Sequence, residues 1–297
     1  MIYQHPLAYL VAMEGRALLR AWAGDDGYDQ QFVKDRLAEV RRLLDDRELG
    51  EHPGVLVEPG ATGAAYAQWA AGYDDAGNGL LDLDEPALDA IVQSLPVGTA
   101  VDAACGTGRL TDRLVARGHR VLGVDSSTEM LERARRRLPA VPFVAGDLHR
   151  LPVPDGAADL LVTGLALTHV ADLGPVFAEF ARVLRPGGDL LVSDVHDQLV
   201  LLGSVVKAEG ADGRAQLAST HRHSVAEVLR SALAAGFTVL RFDELPRSAP
   251  PEGPVPEATR GIDGWRTWPW TLMGLVPEAT RAAWDSPAVT VWHLRNN

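Results

Sequence analysis

Residues 99–125 read TAVDAACGTGRLTDRLVARGHRVLGVD, and the rest of the chain can be read outward from them. An apolar run over Thr99–Ala104 stops at a glycine loop, Cys105-Gly106-Thr107-Gly108. A helix over about Arg109–Arg117 follows, then a second apolar run that ends in Asp125. Downstream the alternation continues: helix (TEMLERARRRL), strand (VPFVAGD), strand (ADLLVTG), helix (LGPVFAEFARVL), strand (GGDLLVSDV). Strands alternating with helices at this spacing are βαβ units and predict a parallel sheet of the α/β, Rossmann-like class. The strands are nearly continuous apolar runs, as expected when helices cover both faces.

Beyond Val195 the rhythm breaks. Two β-like runs around Gly210-Ala211-Asp212-Gly213 predict a hairpin at about 198–220. SVAEVLRSALAAGF predicts a helix closed by Gly236, and TVLRFDEL a strand. Residues 246–257 are Pro-rich, Arg260–Trp284 is aromatic without a clear period, and AVTVWHLR predicts a closing strand. Upstream, residues 1–48 read as helices and 49–60, rich in Pro and Gly, as a linker. In ATGAAYAQWAAGYDD the side chains of Tyr66, Trp69 and Tyr73 fall on one helical stripe, and a further helix is expected over about Glu85–Ser94. The expected division is a helical N-terminal lid over 1–95 and a Rossmann-like core over 96–297 with the 198–220 hairpin as a cap.

Composition narrows the functions. Apolar residues make up 46% and charged residues 23% of the chain, which excludes disorder over most of it. A net charge of −12 gains nothing from releasing phosphate counterions, so nucleic acid and anionic membrane surfaces are not expected partners. The single cysteine, Cys105, excludes an internal disulfide and a cysteine-based zinc site. It fits a reducing, cytoplasmic location; the first residues do not look like a secretory leader, and no apolar run is long enough to span a bilayer.

In a parallel sheet, ligands sit beyond the carboxyl ends of the strands. Gly106 and Gly108 let the backbone approach a ligand closely, and the helix after them offers free N–H groups. A dinucleotide fingerprint needs a third glycine where this chain has Thr111. Asp125 lies where an acid accepts both ribose hydroxyls of an adenosine. Asp147 ends the next strand, where a carboxylate can accept from an adenine amine. These are places for an adenosine and a carboxylate-bearing tail, with none for a pyrophosphate.

VDAACGTG, VLGVDSS, VAGDLHRLP, ADLLVTGLALTHV and ARVLRPGG, in this order over about Thr99–Val195, resemble the class I S-adenosylmethionine-dependent methyltransferases. The style is that of the branch containing quinone-biosynthesis and antibiotic-tailoring enzymes. The resemblance implies a seven-stranded sheet whose last strand is antiparallel, and S-adenosylmethionine as cofactor with no metal. It also implies residue roles. The loop Ala103, Ala104, Cys105, Gly106 and Gly108 would contact the methionine part and Asp125 the ribose. Asp147 and Leu148 would hold the adenine, with Ser126 and Met130 beside it. Thr163, Gly164 and Leu165 would lie near the sulfur, and Tyr73 over the methionine carboxylate.

The nine histidines sort by position. His169, His196 and His223 follow strand ends or precede a helix at the same edge, and are the candidate general bases. His119, His149 and His293 sit in ordinary surroundings. Among the seven tryptophans, Trp265, Trp268, Trp270 and Trp284 crowd one segment. Trp69, Trp268 and Trp270, with His169 and His196, are the candidate acceptor contacts. The run Arg133, Arg135, Arg136 and Arg137 reads as a solvated helix face.

The expected activity is methyl transfer from S-adenosylmethionine to a small aromatic or apolar acceptor, on carbon, nitrogen or oxygen, in natural-product metabolism, by a monomer or homodimer. The alternatives are a non-catalytic S-adenosylmethionine-binding protein and a dinucleotide-dependent oxidoreductase, against which Thr111 speaks.

Overall fold

Seven strands build the larger sheet: β1 (Thr99–Ala103), β2 (Arg120–Asp125), β3 (Phe143–Ala145), β4 (Ala158–Gly164), β5 (Leu184–Val195), β6 (Phe237–Pro246) and β7 (Pro287–Asn296). Their order across the sheet is β6-β7-β5-β4-β1-β2-β3. Strands β1 to β5 pair in parallel, while β7 pairs antiparallel with β5, Val291 opposite Ser193. This computed structural model describes residues 1–70, 73–74, 79–247, 260–262, 264–284 and 286–297. Most of the Pro-rich stretch at 246–257 lies outside them.

Both faces of the sheet are covered. On one side Phe177, Phe180 and Val183 of the helix Leu173–Val183, with Val228 and Ala232 of Val225–Ala234, pack on Val101, Leu161, Leu190 and Trp292. On the other, Leu88, Ile91, Leu110 and Leu114 of the helices Leu81–Val92 and Arg109–Ala116 pack on Ala100, Leu160, Leu191 and Val291. Each large apolar side chain taken fully from water stabilises by about 1.5–3 kcal/mol, which explains why the strands carry few polar residues.

The chain folds into two compact units. The sheet unit comprises 61–201, 218–245 and 287–297; the other comprises 1–60, 202–217 and 246–286. A split at residue 95 does not describe this division. The helices Thr62–Trp69 and Leu81–Val92 belong to the sheet unit, and the second unit is assembled from three separated segments.

In that second unit the helices Pro6–Ala23 and Gln30–Asp45 pack on a core of Leu10, Met13, Leu43, Trp268, Leu272 and Val276. Buried Glu14 on the first helix pairs with Arg36 on the second at 3.2 Å. The segment read as a linker contains a strand, Val55–Gly60, antiparallel to Ile2–Gln4. The expected hairpin is present but shorter, Lys207–Glu209 against Ala215–Ala218, because Asp197–Leu201 is helical. All four short strands share one sheet.

Candidate active site

The strand order reverses between the parallel neighbours β1 and β4, the switch point beside which ligands bind in open α/β sheets. A cavity of about 240 Å³ opens there, lined by Ala104, Gly106, Asp125, Ser126, Asp147, Leu148, Gly164 and Leu165 from the strand ends. Met130, His149, Tyr66, Tyr73, His169 and Val170 complete its wall. Two lining residues that are not glycine, Ala104 (φ 58°) and Leu165 (φ 57°), hold left-handed backbone. Such strain persists only where the surroundings enforce it, and it concentrates at functional sites.

The glycine loop and Asp125 are built together. Asp125 accepts the Gly106 N–H on one carboxylate oxygen at 2.7 Å and the Ser127 N–H on the other at 2.8 Å. Burial pushes this carboxyl up, and the backbone donors oppose the shift. Gly106 has φ 54°, and a Cβ there would meet nothing within 4 Å, so the loop leaves open space above itself. Gly108 is glycine for another reason: its Cβ would press on Ala134 at 3.3 Å, and its φ is 81°. Asp147 accepts from the His149 backbone N–H at 2.8 Å and lies 2.6 Å from His149 Nδ1. Burial acts upward on Asp147, but these contacts outweigh it and hold the carboxyl below its usual range.

Four expected cofactor contacts do not line the cavity. Ala103 and Thr163 are fully buried in their strands, Gly108 packs against Ala134 of the helix Thr128–Arg137, and Cys105 turns inward beside Leu131 and Phe143. Burial drives the Cys105 thiol far above its normal range, so it holds no thiolate. Thr111, in the third-glycine position, donates its hydroxyl to buried Asp102 at 2.6 Å. The loop is therefore tied by a side chain where a dinucleotide fold would have a glycine.

Of the three candidate bases, only His169 lines the cavity. Its Nδ1 lies 2.7 Å from the Ser219 carbonyl, and its Nε2 2.7 Å from the Tyr66 hydroxyl. A carbonyl can only accept, so Nδ1 carries the proton and Nε2 accepts from Tyr66. Burial holds the imidazole below its ordinary pKa, while burial, Tyr73, Asp194 and Asp125 hold the Tyr66 phenol well above its own. His196 lies elsewhere: its Nε2 reaches Glu244 at 2.8 Å, and its Nδ1 accepts the Gln198 N–H at 3.1 Å. His223 Nε2 donates to the Val170 carbonyl at 2.7 Å, bracing a lining residue from behind.

The expected acceptor tryptophans do not line this cavity either. Trp69 supports Tyr66 edge-on at 6.3 Å. Trp268 is buried in the core of the other unit, where its carbonyl and that of Trp265 hold Lys207. Trp270 belongs to that unit too and is 48% exposed. The tryptophan cluster has no helical or strand period, so sequence could not separate core from wall.

Three features escaped the sequence reading. His149, set aside as ordinary, lines the cavity. Arg137 is not simply solvated: it pairs with Asp74 at 2.7 Å, and Asp74 also accepts from Thr107 of the glycine loop at 2.8 Å. The turn carrying Tyr73 is thereby pinned to the loop; Trp69 ends the preceding helix, so Tyr73 reaches the cavity from this turn and not from a continuous stripe. Last, Arg109 forks onto Asp84 at 3.0 and 2.7 Å, with Ser193 donating to the same carboxylate at 2.8 Å. The Arg109 charge also acts on the Tyr73 phenol, opposing the upward push of burial. A Cβ on cavity-lining Gly164 would come within 2.8 Å of the Arg109 guanidinium, so that position requires glycine.

Residues 101–192 match the family model described as a methyltransferase domain. A 37.1 kDa protein in transposon TN4556 of Streptomyces fradiae is 40% identical over 163 residues, 51% of this chain and 46% of its own length. The malonyl-[acyl-carrier protein] O-methyltransferase of Yersinia pestis is 35% identical over 148 residues, 49% of this chain and 54% of its own. The chain thus spans about half the length of these curated relatives. An S-adenosylmethionine-dependent methyltransferase from Mesorhizobium loti superposes with a TM-score of 0.50 at 25% identity, over 71% of this chain and 96% of that one. With its sheet order, antiparallel β7 and strand-end acids, the chain carries a domain of the class I S-adenosylmethionine-dependent methyltransferases.

Proposed function

We propose that the protein methylates a small, aromatic or moderately apolar acceptor with S-adenosylmethionine in the cavity at the β1/β4 switch point. The observation that carries this reading is Asp125, held by two backbone N–H groups at the cavity wall beside open space over Gly106. Bound there, S-adenosylmethionine supplies a methyl group on a positively charged sulfur that is already activated for displacement. Asp125 would hold the ribose. Asp147, Leu148, Met130 and Ser126 would enclose the adenine. Ala104, Gly106 and Tyr73 would receive the methionine end, and Gly164 and Leu165 the region of the sulfur. With a reactive donor, the protein's main contribution is alignment.

Tyr66 and His169 supply the remaining chemistry. An acceptor that loses a proton can pass it to the Tyr66 oxygen, whose own proton moves to His169 Nε2. The low basicity that burial gives His169 returns it to the neutral form between turnovers. The apolar neighbours Leu165, Ala166 and Val170, with the aromatic Tyr66 and Tyr73, suit a small acceptor of the same character. Work in natural-product tailoring is part of this proposal, by analogy of fold.

Calorimetric titration tests the cofactor. Micromolar binding of S-adenosylmethionine is expected, weakened at least about tenfold in Asp125→Ala, where two charge-assisted ribose contacts are lost. NADH should not bind; NADH binding without S-adenosylmethionine binding would reject the reading. S-adenosylhomocysteine release with phenolic or indolic acceptors separates an enzyme from a mere binder. Tyr66→Phe and His169→Ala are each expected to lower turnover by about 10²–10⁴-fold, the usual contribution of a positioned base, with cofactor affinity unchanged. Unchanged turnover in both would remove the pair from the chemistry.

A further inference from the structure

Outside the sheet unit and among the described residues, Arg16, Arg36 and Arg247 carry buried donors without a hydrogen-bond partner; Arg36 is neutralised by Glu14, and the other two are not paired with a carboxylate. Arg247 stacks its guanidinium on Trp284, 3.8 Å from the ring centre, with Trp270 at 5.9 Å. Its Nε and Nη1 are buried and have no hydrogen-bond partner. Arg16, on the helix Pro6–Ala23, gives one Nη2 bond to Ser286 and leaves its buried Nε equally unmatched. Burial lowers the pKa of Arg247, and the positive charge of Arg16 lowers it further. Tyr9, two turns before Arg16 on the same helix face, senses both cations, but its hydroxyl is already donated to the Leu202 carbonyl at 2.9 Å. Among the described residues, no carboxylate offsets the Arg247 charge.

A fold does not gain by placing two cations together with three unmatched donors. An unpaired buried donor costs about 1–3 kcal/mol, and a buried charge without a partner costs more. The arrangement stands out on a chain of net charge −12, which has 40 acidic residues available to neutralise it. As whole residues both arginines are only partly buried. Guanidinium groups match the geometry of carboxylate and phosphate oxygens, and an aromatic face beneath one of them fixes its plane.

We propose that Arg16 and Arg247 form a binding site for an oxyanion, the phosphate or carboxylate group of a small ligand, with Trp284 as its apolar wall. The site completes the hydrogen bonding of both arginines only when occupied. It is independent of the Asp125 cavity and of the methyl-transfer reading.

The test uses the full chain, with inorganic phosphate and malonate as probes and sodium chloride at matched ionic strength as control. Tryptophan emission and thermal stability are the two readouts. Wild type should show a saturable response to phosphate, malonate or both, and none to chloride. The stronger probe identifies the ligand class. Arg247→Gln and Arg16→Gln should each weaken the response at least tenfold. In anion-free buffer Arg247→Gln should melt at or above the wild-type temperature, because it removes an unmatched charge. A saturable response that both variants retain means an adventitious ion only. That result overturns the proposal, as does the absence of any saturable response in wild type.

Discussion

Arg109→Met is expected to destabilise the protein by about 3–5 kcal/mol, the range for removing one partner from a buried ion pair. Arg109 is 8% exposed and Asp84 0%. Burial pushes Asp84 upward, but the forked guanidinium and the Ser193 hydroxyl oppose it, and two-pronged geometry at 2.7 and 3.0 Å is that of an ionised pair. Without Arg109 the carboxylate keeps one hydroxyl donor and loses its counter-charge. Replacing both partners, Arg109→Met with Asp84→Leu, should recover most of the loss, because an apolar pair of similar volume is often as stable as the ion pair it replaces. Urea unfolding of wild type, single and double variants measures this. If the single and double variants lose the same amount, the cost is lost packing and not an orphaned charge. The effect reaches the site through Gly164, which rests against the guanidinium, and through Tyr73, on whose phenol its charge acts.

The pair shows what local sequence carries and what it does not. The strands β1, β2 and β4 were legible because each is an apolar run that stops at a glycine or an acid, and helix periodicity resumes at once. That Asp125, Asp147 and the loop residues Ala104 and Gly106 line the cavity was legible because each lies at or just past the end of a strand. Arg109 follows the loop directly, yet its partner lies 25 residues earlier and Ser193 109 residues beyond that partner, so no local pattern announces the cluster. The same holds for Tyr66 and His169, 103 residues apart, which meet only because β4 ends beside the helix Thr62–Trp69. Val55–Gly60 was hidden by Pro59 and two glycines, which read as a linker until the pairing with Ile2–Gln4 is seen. Trp268 and Trp270 were misplaced because aromatic content marks apolar surface without saying which unit it belongs to.

Asp194 should make the protein lose stability as the pH rises from about 4 to 8, and Asp194→Asn should abolish that loss. Asp194 ends in a buried carboxyl whose Oδ1 has no partner; the N–H groups of Val195 and Thr168 give it some support. Burial pushes its pKa up to about 8, from an ordinary value of 3.8. Below about pH 4 the carboxyl is protonated in the folded and unfolded chain alike, and its contribution is fully present. Between about pH 4 and 8 the unfolded chain releases the proton and the native chain keeps it. The unfolding free energy then falls by about 1.4 kcal/mol per pH unit from this group alone. Above about pH 8 both states are ionised and the loss is complete. Glu14 and Asp102, raised by burial to about 7 and about 6, slope the same way, so the difference between wild type and Asp194→Asn isolates this group. Denaturant unfolding across pH 4–9 should give two curves that nearly meet at pH 4 and diverge by several kcal/mol by pH 8, the asparagine variant being the more stable. Parallel curves would mean that Asp194 is ionised in the native state at neutral pH. The site has a stake in the outcome: Asp194 acts on the Tyr66 phenol, and an uncharged carboxyl there leaves the proposed proton path from Tyr66 to His169 free of a buried negative charge.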